Sequence, residues 1–196
     1  PTYDNDKILN MKINELITSM NNFEFTSVEL VSLYISRCLE IGKEINAITQ
    51  HLYLDALESA QLSDERRLTN KSSRLLEGIP FSVKDCFDQR GCDSTCGLAS
   101  RVGEASQHDC PLIQMLKHEG GIPFVRSNVP PILMAWETSN NVFGTTLNPW
   151  NTSKVTGGSS GGEAALISSR CSPIGIGTDI GGSLRIPAAC CGIYSL

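Results

Sequence analysis

The sequence predicts an α/β fold, a mixed or largely parallel β-sheet covered by helices, on three observations. Apolar residues recur at helical spacing through the first third of the chain. From Gly78 onward, helical segments alternate with short apolar runs across short links. Apolar residues make up 40% and charged residues 19% of 196 residues, enough for one ordinary domain with a real core.

The elements are read in chain order. Ile13, Leu16, Ile17 and Met20 repeat at three and four and share one face of a first helix. Thr26-Ser27-Val28-Glu29 is a capping box that opens a second helix. Val31, Tyr34, Ile35, Cys38 and Leu39 form its apolar stripe, and Gly42 stops it. Leu54 to Leu68 reads as a third helix, charged on its outer side. These helices make residues 1–77 a covering segment that buries one face. The core, 78–196, starts with the strand-like run GIPFSVKD. CPLIQMLKHEGGIPFVRSN then reads helix, glycine stop, strand, and GGEAALISSRCSPIGIGTD repeats that order, with a helix over about 162–170 and a turn at Ser172-Pro173. Between them, Pro130 to Trp136 is an apolar run that reads first as a core helix.

Composition excludes several functions. Net charge is −5 and no basic run occurs, so no nucleic-acid surface is expected. Residues 1–20 are charged throughout and carry no signal peptide, and no uncharged apolar stretch reaches the roughly 18 residues of a membrane span. The sequons at Asn70 and Asn151 are therefore read as chance. Eight cysteines at irregular spacing, two of them adjacent, are expected to be reduced thiols of an intracellular protein. Cys92 and Cys96 have no second ligand pair of regular spacing, and the only histidines are His51, His108 and His118, so no zinc site is expected.

Two glycine-flanked serine clusters carry the chemistry. In Gly157-Gly158-Ser159-Ser160-Gly161-Gly162, four glycines permit close approaches, and a helix begins at once. In the second cluster, Ile180, Gly181, Gly182 and Ser183 can turn consecutive N–H groups towards one point, a nest for a developing oxyanion. No lysine follows these glycines as a phosphate loop requires. Ser159 matches a nucleophile elbow literally, but NPWNTSKVT before it is polar and turn-rich, and no histidine follows His118. The remaining reading activates a serine with a neutral lysine. Lys84 is the candidate, because it closes the apolar run from Ile79 to Val83 and would be buried, which lowers an amine's proton affinity. Asp85, next to it, is a potential ion-pair partner that would do the opposite.

GGSSGG, GIGTDIGGSLRIPAA and GIPFSVKD together resemble the amidase signature family of serine hydrolases. FVRSNVP and FGTTLNPWN make the chain most similar to its fatty-acid amide hydrolases, over Thr26 to the end. The resemblance implies the amidase-signature fold, incomplete at the C-terminus because that domain is longer than this chain. It implies a Ser–cis-Ser–Lys triad of Ser183 as nucleophile, Ser159 as proton relay and Lys84 as base. The oxyanion donors fall on Ile180, Gly181, Gly182 and Ser183, beside Ser159, with Ser160, Thr178, Asp179 and Arg185 in support. Leu133, Met134 and Trp136 fall beside the acyl chain. The implied substrate is a carboxylic amide, by preference a lipid amide, with no cofactor. The expected location is cytoplasmic or peripheral to an internal membrane. Any membrane-binding element falls beyond Leu196, and a homodimer is admitted. Two alternatives stand: an esterase of the α/β-hydrolase type using the Ser159 elbow with a histidine beyond the chain, and a truncated, non-catalytic relic that binds lipid or protein.

Overall fold

Capping and apolar spacing set the helices much as the sequence suggests. The computed structural model describes residues 4–69 and 74–196; the Asn70 sequon lies outside the described residues. A short helix α1 (Asn5–Leu9) precedes α2 (Ile13–Asn21) and α3 (Ser27–Arg37). The capping box closes as predicted: Glu29 N donates to Thr26 Oγ1 at 3.1 Å and Thr26 N to Glu29 Oε2 at 2.8 Å. A single π-turn, Cys38–Gly42, extends α3 to the predicted glycine. α4 (Tyr53–Leu68) is the third predicted helix.

The sheet contains β1 (Ile48–His51), β2 (Pro80–Lys84), β3 (Ile122–Ser127) and β6 (Gly175–Ile176) in the order β1-β3-β2-β6. β3, β2 and β6 run parallel and β1 antiparallel, a mixed sheet. β1 is a strand inside the predicted covering segment that helical periodicity does not announce. A two-stranded ribbon, β4 (Ser139–Asn140) and β5 (Gly144–Thr145), lies apart from it. α5 (Pro111–His118), α6 (Gly161–Ser168) and α7 (Arg185–Cys191) complete the order. Neither the ribbon nor α7 is announced by the sequence pattern.

The main core joins Leu16, Met20, Leu30, Val31 and Tyr34 to Ala56 and Ala60 of α4, Phe124 of β3, and Ala165 and Leu166 of α6. A smaller cluster of Phe81, Val83 and Ile113 seats α5 on the other face. Alternation along β2 assigns its side chains to the two layers. Phe81 and Val83 point to α5, so Ser82 and Lys84 point the opposite way, to α6. All eight cysteines are free thiols. Asn151 holds Ser153 N at 3.0 Å in a tight turn. Among the described residues, no helix is long and apolar enough to cross a membrane.

Candidate active site

β2, the start of α6 and the loop after β6 converge on Lys84. Its side chain is fully buried, yet no carboxylate among the described residues comes within ion-pair distance. Nζ lies 2.8 Å from Ser159 Oγ, 2.9 Å from Ser160 Oγ and 2.7 Å from Thr178 Oγ1. Burial lowers the Lys84 pKa against the weaker opposing pull of Cys86, Glu163, Cys96 and Asp179.

Asp85 does not pair with Lys84. Alternation along the strand sends it to the other face, where Oδ1 accepts from Arg126 Nη2 at 3.2 Å and Oδ2 accepts from Thr95 Oγ1. Arg126 is fully buried as well.

The first serine cluster forms the entry to α6. The Gly158–Ser159 peptide is cis. Ser159 and Ser160 are buried. Ser160 N donates to Ser183 O at 3.1 Å, and Ser160 Oγ to Thr178 O at 3.1 Å, stitching this cluster to the second. Gly162 is required by close approach: a Cβ there would sit 2.5 Å from both N and O of Asn128. Gly162→Ala is therefore expected to push α6 off the strand end and destabilise the protein by about 1–3 kcal/mol. Thermal melting of the intact protein measures this, and an unchanged melting temperature would contradict the packing described.

The second cluster is shaped by Asp179. Its carboxylate accepts from Arg185 Nε and Nη2, both at 3.0 Å, and from the N–H groups of Gly182 at 2.7 Å and Leu184 at 3.0 Å. These donors, Arg185 first, hold its pKa far below the usual carboxylate range. The Gly182 N–H is thus already engaged. Among the described residues, the N–H groups of Ile180, Gly181 and Ser183 have no acceptor. Of the four predicted donors, three are open.

A cavity of about 540 Å³ collects the remaining candidates: Ser159, Thr178, Ile180, Gly181 and Ser183 on one side, and Ile132 to Trp136 on the other. No histidine lines it. The wall 130–136 is not the core helix its apolar run suggested. Only Pro131–Leu133 makes a 3-10 turn, with Ile132 and Leu133 at φ 47° and 62°, conformations that exclude a continuing right-handed helix. Met134 and Trp136, 79% and 69% exposed, line the cavity together with Leu133.

Sequence reasoning gave Asn128 no role. It is fully buried. Nδ2 donates to Gly144 O at 3.1 Å and Thr146 Oγ1 at 3.0 Å, while Oδ1 accepts from Asn140 Nδ2 at 2.7 Å. Asn128 thereby ties β3, the ribbon and the α6 entry together. The sequence carried no such signal, because the burial that makes this asparagine a junction exists only in the fold.

The family model described as Amidase matches residues 29–196. The chain is 40% identical over its whole length to fatty-acid amide hydrolase 1 of Sus scrofa, of which it covers 32%. It is 40% identical over 93% of its length to the putative amidase kk1C of Curvularia clavata, covering 34% of that protein. A solved structure of a fatty acid amide hydrolase superposes with a TM-score of 0.91 at 29% identity, covering 96% of this chain and 33% of that one. The chain thus spans about a third of the length of these relatives.

Proposed function

Because the chain belongs to the amidase family, we propose that it carries the catalytic residues of a serine amide hydrolase, with Ser183 as nucleophile, Ser159 as relay and Lys84 as base, acting on lipid amides. The observation that carries this reading is a fully buried lysine whose Nζ has three hydroxyls within 2.9 Å and no carboxylate partner. An ammonium there would be buried without a counter-charge, which is costly; a neutral amine donates to two of the hydroxyls and takes a proton from the third.

The steps balance. Ser183 Oγ bonds to the amide carbonyl carbon while its proton passes to Ser159, and the Ser159 proton passes to Lys84 Nζ. The carbonyl oxygen, now negative, meets the open N–H groups of Ile180, Gly181 and Ser183. The proton returns from Lys84 through Ser159 to the leaving nitrogen as the C–N bond breaks. An amine leaves only when protonated, so a relay aimed at that nitrogen suits amides. Water then cleaves the acyl-enzyme by the same route. The apolar wall of Leu133, Met134 and Trp136 favours an acyl chain over a polar acid, and the names of two of the relatives favour a fatty amide.

Nothing in the geometry favours the elbow. Ser159 is 1% exposed and its Oγ is committed to Lys84, whereas Ser183 opens on the cavity. A fluorophosphonate probe tests the assignment. Peptide mapping of the intact protein is expected to find the adduct on Ser183. An adduct on Ser159 would support the elbow, and no adduct on well-folded protein would support the relic.

A further inference from the structure

A second polar rung joins the two elements that hold Lys84. β2 offers Ser82 and Lys84 on one face, and the first turn of α6 offers Ser160 and Glu163. Lys84 meets Ser160 at 2.9 Å; Ser82 Oγ donates to Glu163 Oε2 at 2.6 Å. Glu163 is a buried carboxyl, 3% exposed. Its other oxygen, Oε1, makes no hydrogen bond of good geometry; the Ser127 hydroxyl stands beside it, equally without one. The site is shaped around this group: a Cβ on Gly175 of β6 would lie 1.9 Å from Glu163 Oε2. The proton relay from Ser183 to Lys84 uses neither Ser82 nor Glu163.

We propose that Glu163 is a positioning residue for Lys84: through Ser82 it fixes β2 against α6, and through its charge it sets the pH above which the Lys84 amine is free to accept a proton. The proposal rests on Lys84 being the base. Burial weakens an amine as a base, and proton transfer works best when the base titrates near the working pH. A carboxylate nearby opposes that loss and restores basicity. The groups facing the pair are few: Cys86 after β2, Arg126 on β3, Cys96, and Asp179. Arg126 is turned to Asp85 and Asp179 to Arg185, and burial pushes the Cys86 thiol up to about 12. That leaves Glu163 as the carboxyl able to act on Lys84 alone. Burial raises Glu163 itself to about 7, so its charge is gained as pH rises through that range.

The test is the pH profile of acylation and of kcat/KM in the intact protein. Glu163→Gln keeps an acceptor for Ser82 and removes the charge. The acid limb is expected to move down by about one pH unit, with a plateau several-fold lower from the weaker base. Ser82→Ala, a smaller change, removes the donor that favours the ionised carboxyl and should move the limb the same way by less. Thermal melting identifies the folded variants. A folded variant with the wild-type limb, or with a limb moved up, overturns the proposal. Lys84→Met run alongside separates the two readings. If it too keeps the wild-type limb, the base assignment fails; if it abolishes the limb while Glu163→Gln leaves it in place, only the role of Glu163 fails.

Discussion

Ser183→Ala in the intact protein is expected to lower amide turnover by about four orders of magnitude or more, while leaving the fold within about 0.5 kcal/mol of wild type. The two halves of this expectation have separate grounds. Ser183 Oγ makes no hydrogen bond to the protein among the described residues, so its removal strands no partner. The Ser183 carbonyl, which accepts from Ser160 N at 3.1 Å, survives the change and keeps the two loops stitched. Activity should therefore vanish in a protein whose melting temperature and substrate binding are intact. Retained turnover would remove Ser183 from the chemistry, and a collapse in stability would show that the loop depends on the hydroxyl after all.

Lys84→Met should cut turnover by roughly 10²–10⁴-fold, the usual range for losing a positioned acid–base group. The sign of the pH effect comes from burial. The folded-state pKa of Lys84 is lowered, so the amine is neutral and competent above that value and lost as pH falls through it. Between the lowered value and the unfolded one, the folded state binds fewer protons than the unfolded state, so stability rises with pH across that window. Lys84→Met should remove both the acid limb of the rate and this rise in stability. Rate profiles and thermal melts at a series of pH values check the two independently. An unchanged stability slope would mean that the amine titrates as if exposed.

Some of this was legible in the sequence, and the reasons differ by residue. Lys84 could be found because a lysine closing an apolar strand has nowhere else to put its charge. The serine clusters could be found because four glycines around two serines serve few purposes besides close approach. The direction of Asp85 was also within reach: neighbours on a strand point to opposite faces, so a buried Lys84 implies an Asp85 turned away from it. Glu163 was not legible, since an acidic residue in the first turn of a helix normally reads as a solvated charge complementing the dipole. Its burial depends on Gly175, which is remote in sequence and adjacent only in space. β1 and the two-residue strands β4 and β5 were missed because so few residues display no period. The run from Pro130 to Trp136 misled because length and apolarity cannot distinguish a buried helix from a cavity wall when tertiary contacts bend the backbone.

That wall is held by its main chain. Ile132 N donates to Cys96 O at 2.8 Å, and the Gly97 turn packs directly on the Pro130–Pro131 peptide. Its side chains contribute little to cohesion, so mutation can rewrite them cheaply. On the proposed reading, descendants of this gene could trade one preferred substrate for another by point changes at Met134 or Trp136, while the scaffold and its reaction pass unaltered from parent to offspring.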